Sequence, residues 1–117
     1  MDGLENLLEY IRSNSEYVEF NEVMELIDDL YNFTPTAFDN GELHNAAGEN
    51  NGSCKLLAFG QMHQLEKQHL LNCFGAYYHE DVIKNPKDDS HQNIRNFIKF
   101  GWNGVTFHGQ ALALKDK

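Results

Sequence analysis

Residues 33–55, FTPTAFDNGELHNAAGENNGSCK, interrupt an otherwise helical pattern and constrain the fold more than any other part of this 117-residue chain. The segment contains Asn40-Gly41 and Asn51-Gly52, dipeptides that favour tight turns because both residue types tolerate positive φ. Loops of this length without secondary structure are uncommon inside compact domains. The segment is therefore either an ordered functional loop or a slack connection between two helical halves.

Apolar residues recur at the spacing of amphipathic helices on both sides of that segment. The pattern predicts five helices, at residues 2–13, 18–31, 54–64, 66–84 and 90–100. The expected N-caps of the first, third and fifth helices, whose side chains can accept from free backbone N–H groups, are Asp2, Ser53 and Ser90. Gly75 lies inside the fourth predicted helix, where the missing side chain would allow a close helix crossing.

Residues 34–38 and 105–107 have the composition of short strands, and we expect them to pair across the fold. The predicted fold class is mainly α, with about five helices and a small two-stranded β element; α+β is the alternative. A chain of this length is near the commonest domain size, so residues 1–117 are predicted to form a single domain.

The chain carries a net charge of −9, from nine Lys and Arg against 18 Asp and Glu. Such a field repels phosphate backbones and anionic membrane surfaces, so neither nucleic acid nor a membrane is an expected partner. No stretch approaches the ~20 apolar residues of a membrane span, and the N-terminal residues do not resemble a signal peptide. With only two cysteines, the expected location is a reducing cytoplasm.

The polar residues of the central segment are the candidate ligand-binding groups: His44, Asn45, Ser53 and Lys55. Residues 48–55, GENNGSCK, form a glycine-rich turn before a predicted helix, where backbone N–H groups and the Lys55 ammonium can hold an anion. The spacing does not fit the Walker phosphate loop, and a plain helix cap is the competing interpretation.

Two further chemistries are weaker alternatives. Cys54 and His44 could form a nucleophile and base pair, since a thiol near a helix N-terminus can have a depressed pKa; a buried structural cysteine is the competing interpretation. His69 and Cys73 lie four residues apart on one predicted helix face, so they or His44 could contribute to a metal site. No HExxH or paired CxxC motif accompanies them. We therefore predict no metal and no cofactor, and the sequence leaves open whether the protein is an enzyme.

Three long strings carry a family resemblance: the central segment quoted above, LLNCFGAYYHEDVIKNP, and HQNIRNFIKFGWNGVTFHGQAL. They resemble the HopJ type III effector proteins, and the resemblance runs from about Leu4 to Leu112. It implies a bacterial protein of a family without established catalytic residues, so no site residue is carried over. It also implies that delivery into a host cell by a type III secretion system is an alternative to residence in the bacterial cytoplasm.

The leading functional prediction is a HopJ-like protein that binds a protein partner or a small ligand through residues 33–55. The identity of that partner and the oligomeric state do not follow from the sequence.

Overall fold

The computed structural model describes residues 3–13 and 18–115 of the chain. Its α-helices are α1 (Gly3–Ser13), α2 (Phe20–Leu30), α3 (Asn51–Met62), α4 (Lys67–Asn72) and α5 (Gln92–Phe100). A π-helical segment lies at Tyr77–Val82 and a 3-10 turn at Gly101–Gly104. Its strands are β1 (Tyr31–Phe33), β2 (Phe38–Asn40), β3 (Leu43–Asn45), β4 (Val105–Phe107) and β5 (Leu112–Leu114). None of the helices in the described ranges has the length and apolar character needed to cross a membrane.

The strands form two small antiparallel sheets. β1 pairs with β5, and β2 is the central strand of a sheet with the order β3-β2-β4. In the three-stranded sheet Asp39 lies opposite His44 of β3 and opposite Thr106 of β4. The fold is therefore α+β with a majority of helix, and the predicted two-stranded element is replaced by two sheets.

The predicted pairing of residues 34–38 with 105–107 is confirmed only in part. β4 occupies the predicted residues, but its partner begins at Phe38. The Thr36 hydroxyl donates to the Thr34 carbonyl at 2.7 Å, a local bond typical of turns. The Thr34 N–H donates to the Ala111 carbonyl at 2.8 Å, which continues the β1–β5 pairing by one residue, and the stretch then connects β1 to β2.

The helices correspond to the predicted ones with changed ends. α3 begins at Asn51, so Ser53 lies in its first turn and is not its cap. Asn50 precedes α3 and His91 precedes α5, each in the left-handed conformation, and neither helix has a side-chain cap. Ser90 therefore does not cap α5, and Asp2 lies outside the described residues.

The predicted fourth helix is divided at Gly75. α4 ends at Asn72, and Gly75 adopts a φ of +62° before the π-helical segment begins. A β-carbon at Gly75 would lie 3.0 Å from the carbonyl oxygen of Val18 and 3.1 Å from the Phe20 nitrogen. The close approach predicted at Gly75 is confirmed, but it occurs at a break in the helix, against the chain that enters α2.

One core cluster is formed by buried apolar residues of both the helices and the strands. Its largest fully buried side chains include Tyr31, Phe38, Phe59 and Phe97. Phe97 packs edge-on against Trp102 with ring centroids 4.8 Å apart. The core thus lies between the helices and the inner face of the three-stranded sheet, whose other face is left to solvent.

Candidate functional site

The central segment, residues 33–55, is ordered into a hairpin and the start of a helix. β2 and β3 are joined by the two-residue turn Gly41-Glu42, where Gly41 has a φ of +63°. A β-carbon at Gly41 would lie 2.2 Å from the Phe100 ring, so only glycine fits both the conformation and the space. The segment is therefore a structured part of the fold and not a slack connection.

Buried asparagines hold this hairpin against α5. Asn40, Asn45 and Asn93 are each at most 5% exposed. The Asn40 amide donates to the carbonyl oxygen and side-chain oxygen of Asn93, at 2.8 and 3.0 Å. The Asn93 amide donates to the Asn45 side-chain oxygen at 3.0 Å, and Asn50 donates to the same oxygen at 2.7 Å. Because buried amides are costly to leave unpaired, this network fixes β2, β3, α5 and the start of α3 relative to one another.

A cleft of about 410 Å³ opens above this network. Its apolar wall is formed by Phe20, Leu43, Phe74, Tyr77 and Ile94. Phe20 stacks on Phe74 with ring centroids 6.1 Å apart, and Tyr77 meets Phe20 edge-on at 5.4 Å. Tyr77 is nevertheless 44% exposed, so an aromatic surface is available at the mouth of the cleft.

The polar rim of the cleft comes from the starts of two helices. It contains Asn50, Gly52 and Ser53 at the start of α3, and His91, Gln92 and Asn93 at the start of α5. The first-turn N–H groups of a helix have no partner within the helix, and here no side chain caps them. Among the described residues, the lining contains no Asp, Glu, Lys or Arg, but the Asp81 carboxylate lies 3.1 Å from Nε2 of His91. The rim therefore offers hydrogen-bond donors from the starts of two helices, with one carboxylate beside His91.

A larger depression, of about 640 Å³, lies beside α1. The described residues that line it all belong to that one helix, so they form a surface rather than an enclosed site. The cleft at the starts of α3 and α5, in contrast, is enclosed by several elements.

On the outer face of the three-stranded sheet, Asp39 is placed between two histidines. Its Oδ1 lies 2.6 Å from His44 Nδ1, and its Oδ2 lies 2.8 Å from His108 Nε2. The hydrogen bonds from His44 and, next, from His108 hold the pKa of the Asp39 carboxyl below its usual value. The two imidazole rings are 6.2 Å apart, centroid to centroid.

The four predicted ligand-binding residues lie in three different places. Ser53 lines the cleft, and Asn45 supports its floor through the asparagine network. His44 lies on the outer face of the sheet. Lys55 is ion-paired with Asp28 at 2.8 Å and does not line the cleft.

The residues of the alternative chemistries are also placed apart. Cys54 is 1% exposed, and its thiol donates to the Thr36 carbonyl at 3.6 Å, whereas His44 pairs with Asp39. Burial raises the pKa of the Cys54 thiol, which disfavours the thiolate that a nucleophile needs. Burial also raises the pKa of Cys73, to about 12, and the His69 ring lies 3.8 Å from the Glu66 carboxylate.

Sequence reasoning did not choose Asp39, His108, Phe20 or Tyr77 as site residues. Asp39 and Thr106 alternate with core residues along their strands, and His108 follows β4 two residues after Thr106. The predicted strand ended at residue 38, so the predicted pairing did not include Asp39. Phe20 and Tyr77 fit helical core positions by spacing, and that spacing gave no sign that their rings also line an open cleft.

The fold and the cleft define a small α+β protein with a candidate ligand-binding cleft. A model of the HopJ type III effector protein family matches residues 4–112, so the chain belongs to this family. The crystal structure of a protein described as "unknown function protein VPA0580" is similar, with 48% sequence identity and a TM-score of 0.93. The match covers 98% of this chain and 95% of that chain. Among curated proteins, no sequence matches this chain.

Proposed function

We propose that this HopJ-family protein binds a small ligand in the cleft between the starts of α3 and α5. The observation that carries the proposal is the combination, in one cleft of about 410 Å³, of an aromatic wall and two uncapped helix starts. Concave sites that combine an apolar lining with a few placed polar groups are typical of ligand binding. The central segment contributes Ser53 to the rim and Asn45 to the support beneath it.

The lining indicates the chemistry of the ligand. A flat aromatic part would stack on the half-exposed Tyr77 ring, since aromatic pairs stabilise one another beyond the area they bury. Oxygen or nitrogen acceptors on the ligand would face the N–H groups of the first turns of α3 and α5. Adenosine has both features, and adenosine monophosphate adds an anionic group.

The test is an amide NMR fingerprint recorded with adenosine, adenosine monophosphate, inorganic phosphate and a library of flat aromatic fragments. We expect the bound compounds to shift the amides of residues 50–53 and 91–94. In Tyr77→Ala, the ligand concentration that gives half of the full shift should rise at least about tenfold, which corresponds to about 1.4 kcal/mol of binding free energy. The proposal is overturned if the library yields no binder, or if the compounds that bind shift only amides remote from the cleft.

Tyr10→Ala is the matched control. Tyr10 is 41% exposed, close to the 44% of Tyr77, but it lies on α1 and does not line the cleft. Both variants therefore lose a similar amount of exposed ring. Equal weakening in the two variants would show that the effect of Tyr77→Ala does not come from the cleft.

The family membership also supports a proposal about location: synthesis in the bacterial cytoplasm followed by delivery through a type III secretion system. A fusion of the full chain to a calmodulin-dependent adenylate cyclase reports on such delivery. Cyclic AMP should rise in host cells exposed to bacteria with a working apparatus and not in those exposed to bacteria lacking its ATPase. No rise in either case, with the fusion expressed, would contradict delivery.

A further inference from the structure

We propose that Asp39, His44 and His108 bind a divalent transition-metal ion of the zinc class on the outer face of the three-stranded sheet. The site is separate from the cleft, because none of the three residues lines it. One ligand atom from each side chain lies within 4.8 Å of the others. In the described ranges 3–13 and 18–115, this is the single group of three such residues that comes together in this way.

The distances between the three donor atoms are close to the ligand–ligand distances of a zinc site. Zn–N and Zn–O bonds of about 2.0–2.1 Å in a tetrahedral site place neighbouring ligand atoms about 3.3 Å apart. The two carboxylate–imidazole distances, 2.6 and 2.8 Å, lie just below that value. All three donor atoms lie within 4.8 Å of one another. To bind the ion, His44 Nδ1 and His108 Nε2 would each release the proton of the hydrogen bond to Asp39, to the other nitrogen of the same ring or to solvent. Small rotations of the two rings would then replace the hydrogen bonds by metal–ligand bonds.

The backbone places the three residues next to one another before any ion binds. The sheet register places His44 directly across from Asp39, and the His108 N–H donates to the Ala37 carbonyl at 3.0 Å. On the opposite face of the hairpin, the buried asparagines hold β2 and β3 against α5. A site whose ligands are already positioned avoids much of the cost of ordering them on binding.

The donor set selects the class of ion. Two imidazoles and one carboxylate suit zinc and the neighbouring first-row divalent metals, whereas calcium and magnesium prefer oxygen ligands alone. The net charge of −9 attracts cations to the surface in general. The side chains of His44, Asp39 and His108 are 64%, 39% and 49% exposed. Three protein ligands at an exposed position leave a coordination site open to water or to another molecule.

The test uses the full chain without a histidine tag, titrated with zinc chloride by calorimetry and with cobalt chloride by visible absorption. We expect one ion per chain and, for cobalt, the d–d bands of a site with nitrogen ligands. The His44→Ala, His108→Ala and Asp39→Asn variants should each weaken zinc binding at least about tenfold. Far-UV circular dichroism confirms that each variant is folded.

His69→Ala is the matched control. His69 also lies near a carboxylate, that of Glu66 at 3.8 Å, and it is not part of the three-residue group. Zinc binding should be unchanged in this variant. Absence of zinc binding by the wild-type chain, or binding that survives His44→Ala and His108→Ala unweakened, would overturn the proposal. Tyr77→Ala should bind zinc as the wild type does, so failure of this site and failure of the cleft are distinguishable.

Discussion

Asp39 shows how a residue with an unremarkable sequence context becomes central through its neighbours. Its two histidine partners are five and 69 residues away along the chain. His44 stood out in the sequence as a histidine of the central segment, whereas its pairing with Asp39 and His108 depends on the register of three strands. Residue type alone indicated His44 as a candidate, but strand pairing decides that Asp39 and His108 lie beside it.

His63 is a residue at which stability should depend on pH. Burial, and next the nearby Arg12 charge, lower the pKa of His63. Nε2 of its ring is hydrogen-bonded to the Tyr31 hydroxyl, and the Arg12 guanidinium donates to its carbonyl at 3.1 Å. The folded state therefore disfavours the protonated imidazole.

For a histidine with a lowered folded pKa, the unfolded chain takes up the proton first as pH falls. The free energy of unfolding should therefore decrease from the usual histidine pKa of 6.5 down to the lower folded value, and this contribution should be constant outside that window. His63→Gln removes the contribution. Urea denaturation at pH 7.5, 6.5 and 5.5 should show the stability of the wild type falling relative to that of the variant. His69→Gln is the control variant. A difference in stability between the wild type and His63→Gln that does not change with pH would contradict the prediction.

Among the elements, the break between α4 and the π-helical segment has the clearest physical cause. Apolar spacing continues across residues 66–84, so the sequence pattern predicted one helix. The chain entering α2 occupies the space beside Gly75, and the Val18 N–H donates to the Asn72 carbonyl at 3.3 Å. A tertiary contact therefore ends a helix that local preference would have continued.

Gly75→Ala should destabilise the protein by about 2–4 kcal/mol, since it combines a positive φ with a clash against backbone atoms. Gly48→Ala is the control. Gly48 also has a positive φ, +92°, but nothing lies within 4 Å of the position of an added β-carbon. It should lose only about 1–2 kcal/mol, the conformational part. Equal losses in the two variants, measured by urea denaturation, would show that the contact with Val18 and Phe20 is not the cause.

The strands show the limit of local patterns at this scale. β4 was predicted, because Val105 and Phe107 alternate with a polar residue. β1 was missed because the helical spacing of α2 continues through Tyr31. β5 was missed because Leu112–Leu114 shows no alternation of apolar and polar residues. Strands this short are stabilised by their partners, and β5 is supplied by the far end of the chain.

At the scale of the whole molecule, membership of the HopJ family was visible in the sequence, since the three strings that suggested it lie within the matched residues 4–112. The similar crystal structure shows that this fold is also found in a protein of unknown function that shares 48% of its residues. Family and fold therefore agree, and neither specifies a molecular activity, so our proposals rest on the cleft and on the outer face of the sheet.

The sequence by itself determined the helical majority, the interruption at residues 33–55, the acidic charge and the family, because these depend on composition, periodicity and identity along the chain. The tertiary structure alone decided the cleft and the group formed by Asp39, His44 and His108. Both join residues that are far apart in sequence, such as Ser53 with His91 and His44 with His108. Such pairs are brought together by strand register, by a buried asparagine network and by packing. None of these can be read from a local sequence pattern, because each depends on contacts between distant parts of the chain.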